Sequence, residues 1–389
     1  MLSRRYPLRV VAAVPYWTGA TYRAALRSAF ARSRASGELR ETLIDRLGVA
    51  SALLCGSGSL ALEIVLAACG IAPGDEVVIP TFCCSALVPP VENLGAIPVL
   101  ADSGEELNVT AQHVAAALTP RTRAVVVPHL FGNPADIESI ITLTRCKQIA
   151  VIDDAAQALG ATIDGRAAGS FGDAGILSFG AEKICSGIGG GVALSRDANL
   201  LAGLELPLGS KAIASFVSTT FRRRWRRWTF PLDFGRPDPD APPLPYRREA
   251  MTEVAAGVTL SLVRNLDDNI AARRERVRAY NELLRGESRV KLIRHRPGSA
   301  CLAQLIQIRP KNRRDDSAAR VVEALRAAGY EVQGSYVPIH LLPAYKRWVR
   351  HALPYAESVW ENLVELPCEP DVKLDDVERI AAIVRHTLT

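Results

Sequence analysis

Between about residues 50 and 195, short apolar runs alternate with longer stretches of helical spacing. The runs at 50–54, 76–80, 97–100, 124–128 and 149–152 are too short for helices and read as buried strands. The stretches at 59–69, 82–93, 109–118 and 137–146 read as helices, and Pro89-Pro90 must bend the second or begin it afresh. Upstream, 17–48 carries helical periodicity with many Arg and Glu and reads as one helix near the surface. This alternation predicts a mostly parallel sheet with helices on both faces, with ligands collecting outside the carboxyl ends of its strands. From Met251 the pattern changes. Residues 251–264 are small and apolar, and 266–285 are charged and amphipathic, both helical. Strands near 289–293, 301–308 and 330–337, with helices at 316–328 and 374–387, predict a smaller α+β unit. The expected division is a large α/β domain over 1–240 and a small C-terminal α+β domain over 241–389.

The stretch that closes the large domain and leads into the small one is unlike the rest of either. Residues 216–230 (FVSTTFRRRWRRWTF) hold five arginines and two tryptophans, and 233–245 is rich in Pro and Asp, as in a linker. A peripheral contact with an anionic membrane surface or a nucleic acid is one use for 216–230. An amphipathic surface helix with solvated arginines is the other, and it is preferred. The net charge of +6 over 389 residues is modest and does not argue for a nucleic-acid partner. The apolar run 10–14 ends at Pro15 and is too short for a signal peptide core. No run approaches membrane-spanning length. A cytoplasmic protein is therefore expected. The eight cysteines form no CxxC pair and none stands at zinc-finger spacing from a histidine, so reduced thiols and no metal site are expected.

Candidate chemistry sits at the strand ends. The strand at 149–152 runs into Asp153 and Asp154, and Lys183 follows between an apolar stretch and a glycine cluster. Pyridoxal phosphate needs both kinds of group: a carboxylate to keep its ring nitrogen protonated and a lysine to hold its aldehyde. Taken singly, Asp154 is equally a helix N-cap and Lys183 a surface lysine. The loop Gly56-Ser57-Gly58-Ser59 opens the helix at 59–69. Free N–H groups and the helix dipole favour a phosphate there, and Ser57 or Ser59 can add a hydroxyl. The same loop fits GxGxxA, a dinucleotide fingerprint, but Asp75 and Glu76 follow a Pro73-Gly74 turn rather than ending a strand, which disfavours that reading.

With these motifs in order, the chain resembles the DegT/DnrJ/EryC1/StrS family of pyridoxal-phosphate sugar aminotransferases over about residues 50–369. The resemblance rests on GIAPGDEVVIPTF (70–82), LGAIPVLAD (94–102), LTPRTRAVVVPHLFGNPADI (118–137), VIDDAAQALGA (151–161), GSFGDAGILSFGAEK (169–183), MTEVAAGVTLSLVRNLDD (251–268) and YVPIHLLPAY (336–345). It implies the aspartate-aminotransferase fold (fold type I), usually a homodimer with shared active sites. It implies that Lys183 is the Schiff-base lysine and Asp154 the partner of the ring nitrogen. Gln157 matches the glutamine near the ring hydroxyl, and Ser57, Gly58 and Ser178 match the phosphate-binding positions. The implied reaction moves an amino group from glutamate or glutamine to a nucleotide-linked keto-sugar. Another carbonyl acceptor and a non-catalytic cofactor-binding regulator are the alternatives. Three positions depart from the family pattern. Cys84 stands where an aromatic residue often stacks on the ring, so the ring is covered less or is covered by Phe82. Gly189 replaces a usual glutamate. Arg248 stands where an asparagine reaches the phosphate of the neighbouring subunit; it either serves that phosphate or is solvated. His129 and His340 lie in motifs, and a structural role is at least as good a reading for both.

Overall fold

The computed structural model describes residues 9–10, 16–30, 34–180, 182–209, 216–220, 245–312 and 315–389. Most of the basic-aromatic stretch and all but the last residue of its linker lie outside the described residues. Where one helix is expected at the start, there are two, α1 (Gly19–Phe30) and α2 (Ala35–Leu47). α2 buries Ala35, Leu39, Leu43 and Leu47, a stripe at i+4 spacing. Next come β1 (Ser51–Cys55) and α3 (Gly58–Ala68), whose N-cap Ser57 accepts a hydrogen bond from the Leu60 N–H. After β2 (Glu76–Pro80), the expected helix at 82–93 resolves into a single 3-10 turn and α4 (Val88–Asn93). Pro89 and Pro90 sit in the first turn of α4, where an N–H has no intrahelical partner to lose. There follow β3 (Ile97–Ala101), α5 (Ala111–Ala117), β4 (Thr122–Pro128), α6 (Ile137–Arg145) and β5 (Ala150–Asp154). A small hairpin, β6 (Thr162–Ile163) and β7 (Arg166–Ala167), precedes β8 (Ala174–Ser178) and β9 (Gly191–Ser195).

The main sheet has the order β1-β9-β8-β5-β4-β2-β3. The run from β8 to β3 is parallel, and β9 alone returns antiparallel to both β8 and β1. Successive residues of its strands feed opposite faces. Val77, Ile79, Ala124, Val126 and Ile152 enter one core, while Val78, Val125, Val127 and Val151 enter another. Burial on both faces is why these strands read as unbroken apolar runs.

α7 (Glu253–Arg264) is buried from Val254 to Val263 and packs on α1 and α2. α8 (Leu266–Leu283) starts in that core through Leu266 and Ile270 and ends in another through Tyr280. The second sheet orders β10 (Val290–Leu292), β11 (Gln304–Ile308), β13 (Leu363–Leu366) and β12 (Gln333–Gly334), all antiparallel. It is accompanied by α9 (Ser317–Ala327), α10 (Pro354–Val359) and α11 (Leu374–Leu388). The strand expected at 330–337 shrinks to β12 because Tyr330 and Glu331 give their N–H groups to Leu325 and Val10 instead. β13 was not expected. Among the described residues no helix is long and apolar enough to cross a membrane. None of the eight cysteines is in a disulfide.

Candidate active site

The two carboxylates at the end of β5 face opposite ways, as neighbours on a strand must. Asp153 faces inward to His129. Its Oδ1 lies 2.7 Å from His129 Nε2, and its Oδ2 accepts the Phe171 N–H at 2.8 Å. His129 Nδ1 accepts the Ala135 N–H at 2.8 Å, so the ring proton sits on Nε2 and is donated to Asp153. Both side chains are wholly buried. The pair anchors the ends of β4 and β5, and the His129 N–H adds a bond to the Asp154 carbonyl at 3.0 Å.

Asp154 is also buried, and its Oδ1 accepts the Ala156 N–H at 2.9 Å. Burial pushes its pKa up, against the pull of the Ala156 N–H and of the Lys183 charge. A carboxylate so poorly solvated gains strongly from a cation set against it. A protonated ring nitrogen fits that need. Lys183 follows β8, in the same neighbourhood. It lines a cleft with Tyr16, Phe131, Arg273, Tyr336 and Glu365. Glu182 before it holds a left-handed backbone at φ 65°, and Trp17 Nε1 donates to the Ser186 carbonyl just after it at 3.0 Å. The lysine is thus carried on a loop with a strained entry and a pinned exit.

Gln157 is clamped from two directions. Its Oε1 accepts the Phe131 N–H at 2.8 Å and its Nε2 donates to the Tyr336 hydroxyl at 3.2 Å. This fixes which end of the amide is which and leaves one N–H for a further acceptor. Burial pushes the Tyr336 hydroxyl pKa well up, so the phenol stays neutral.

A cradle for an anion forms where β1 ends, β8 ends and β9 begins. A Cβ on Gly58 would come within 2.8 Å of Ser178 Cβ, and one on Gly191 within 2.4 Å of the Ser57 carbonyl. The backbone packs this closely only because both are glycine. The first N–H groups of α3 open here, beside the Ser57 and Ser178 hydroxyls.

The fold therefore brings Ser57, Gly58, Asp154, Gln157, Ser178 and Lys183 to one edge of the main sheet. Arg248 goes elsewhere within the chain. It forms an ion pair with Glu63 of α3, a buried carboxylate that also accepts from Asn93 Nδ2 and from Tyr246. Phe82 is fully buried in the core, while Cys84 is half-buried beside Tyr336. His340 bridges Thr81 Oγ1 (2.7 Å) and Glu357 Oε1 (3.1 Å). Sequence reasoning did not find Tyr336 as the partner of Gln157, although its segment was singled out. Nor did it find the Asp153–His129 pair.

Comparison with known proteins adds four findings. A model of the DegT/DnrJ/EryC1/StrS aminotransferase family matches residues 20–385. The GDP-perosamine synthase of Caulobacter vibrioides is 30% identical over 358 residues, 90% of this chain and 89% of its own. The UDP-N-acetyl-3-dehydro-alpha-D-glucosamine 3-aminotransferase of Acidithiobacillus ferrooxidans is 32% identical over 88% of this chain and 85% of its own. Among solved structures, the aminotransferase TlmJ of Streptoalloteichus hindustanus superposes with a TM-score of 0.78 at 26% identity, covering 97% of this chain and 98% of its own.

Proposed function

Because the chain belongs to the DegT/DnrJ/EryC1/StrS aminotransferase family, we propose that this sugar aminotransferase works through pyridoxal 5′-phosphate held at Lys183. In this reading it takes the amino group from glutamate or glutamine and delivers it to a nucleotide-linked keto-sugar. The relatives support that substrate class, since their names carry GDP-linked and UDP-linked sugars. The observation that carries the proposal is the meeting of a buried carboxylate, a lysine and a glycine-walled anion cradle at one sheet edge.

When bound, pyridoxal phosphate supplies an aldehyde that takes up and returns an amino group and a protonated ring that draws electrons from the reacting carbon. The chain does the rest. Ser57, Gly58 and Ser178 bind the phosphate through hydroxyls and the N–H groups of α3. Asp154 accepts the proton-bearing ring nitrogen and is stabilised as a carboxylate by it. Gln157, oriented by Phe131 and Tyr336, offers its remaining N–H to the ring hydroxyl. Lys183 Nζ would hold the aldehyde and, with its amine free, would serve as the base that moves a proton at the reacting carbon. The same proposal takes the enzyme to be a cytoplasmic homodimer with shared active sites, which sedimentation and cell fractionation test.

The test is the absorbance spectrum of the purified protein before and after adding L-glutamate. A band at the violet edge of the visible that moves to shorter wavelength supports cofactor, lysine and donor together. No band after adding pyridoxal phosphate, or an unchanged band and normal turnover in Lys183→Ala, overturns the assignment.

A further inference from the structure

The loop from Arg294 to Ser299, between β10 and β11, is bound to its surroundings along its length. Asn133 Nδ2 donates to the Arg294 carbonyl at 3.0 Å, and the Arg296 N–H donates to Asn133 Oδ1 at 2.8 Å. The Thr162 N–H donates to the Gly298 carbonyl at 3.0 Å, and Ser299 Oγ donates to the Gly132 carbonyl at 2.8 Å. A loop held this way presents its side chains from a fixed base. Arg294 and Arg296 extend from it. Across from them, Arg274, Arg278 and Asn281 form one stripe of α8 at i, i+4 and i+7 spacing. Together they line a groove of about 440 Å³.

The charge in this groove is poorly balanced. Arg296 Nε meets Glu106 Oε2 at 2.6 Å, and Arg274 Nε donates to the Ser299 carbonyl at 2.8 Å. Among the described residues, neither Arg278 nor Arg294 forms an ion pair. Glu275 on the same helix turns to Arg276 instead. His295 adds no charge near neutral pH, because burial lowers its pKa to about 4, and its Nδ1 is held 2.8 Å from Ser299 Oγ. Four guanidiniums facing one groove with a single carboxylate repel one another, and a bound anion offsets that cost. Their planar donor forks suit phosphate oxygens best.

The groove is not the Lys183 cleft. Leu302 and Arg273 line the cleft, whereas their chain neighbours Cys301 and Arg274 line the groove. We propose that this groove is a second anion site, which takes a small, multiply charged phosphate compound of the diphosphate kind. It lies back to back with the cleft across the Cys301–Leu302 segment.

The experiment is calorimetric titration of the holoenzyme with inorganic diphosphate at low salt, in wild type and in Arg278→Ala/Arg294→Ala. Neither residue belongs to the machinery at Lys183. The wild type is expected to bind, and the double variant to lose at least about tenfold in affinity while its turnover stays within about twofold. A second arm uses a nucleoside diphosphate. An equal loss there shows that a nucleotide also fits, and an undiminished affinity confines the groove to free diphosphate; both support the site. Identical isotherms for the two proteins, or no wild-type binding at millimolar diphosphate, overturn it. The titration stands apart from the assignment of Lys183, since failed turnover in the wild type refutes that assignment without touching the isotherms.

Discussion

His129→Phe separates a histidine that supports the catalytic strand from one that acts on substrate. Phenylalanine keeps a flat ring but neither accepts the Ala135 N–H nor donates to Asp153. Asp153, wholly buried, keeps only the Phe171 N–H. Losing a hydrogen bond on a carboxylate costs ~1.5–3 kcal/mol and orphaning a buried N–H ~1–3 kcal/mol, or about 4 kcal/mol together. An unfolding entropy of ~2.1 cal/mol/K per residue amounts to roughly 0.8 kcal/mol/K over the 389 residues. The melting temperature of the holoenzyme is therefore expected to fall by about 5 °C. Turnover at low temperature should stay within about tenfold of wild type. Removing both partners in His129→Phe/Asp153→Leu should cost less than the two single changes added together, because neither is then left unpaired. Calorimetric scans and initial rates on the same samples decide the matter. A melting temperature unchanged within about 1 °C, with turnover abolished, would mean that His129 works on the substrate and that the Asp153 pair is not what holds β4 to β5.

Three further outcomes are expected. Asp154→Asn should lower kcat by at least ~100-fold without lowering the melting temperature, because burial already disfavours the charge of Asp154; near-normal turnover would mean that another group serves the ring nitrogen. Gly191→Ala puts a Cβ 2.4 Å from the Ser57 carbonyl, a strain of ~1–3 kcal/mol; the dissociation constant for pyridoxal phosphate should rise several-fold to a hundredfold, and an unchanged constant would remove the cradle from the phosphate site. For Glu76, burial raises the pKa, but hydrogen bonds from Thr119, Arg350 and Arg121 outweigh it and leave the group below its ordinary 4.5. Its stabilisation is thus complete above about pH 4.5 and is lost as pH falls through the lowered folded value. Glu76→Gln should cost about 3 kcal/mol at pH 7 and progressively less in acid; urea unfolding that shows the same cost at pH 7 and pH 3 would contradict the sign.

What the sequence determined by itself was whatever depends on near neighbours. The apolar runs within β2, β4 and β5 are legible because both faces of a central parallel strand are buried, so consecutive residues there are apolar and polar ones stand at the strand ends. Asp154 and Lys183 stood out because charge is rare at the ends of such strands, and the Ser57-Gly58 loop because a helix start exposes unpaired N–H groups. Tertiary structure decided the partners. The two carboxylates of β5 are adjacent in sequence, yet the strand's alternation sends Asp153 to His129 and Asp154 to the Ala156 N–H on the other side. Gln157 is oriented by Tyr336, which lies 179 positions away, and nothing local marks that pair. Arg248 turned to Glu63 because a buried carboxylate on α3 needs a cation more than the solvent does. The return of β9, the shrinking of β12 and the pairing of β13 likewise follow from which backbone groups find each other across the fold. A hydrogen bond is chosen by position in space, and chain order constrains that position only over a few residues.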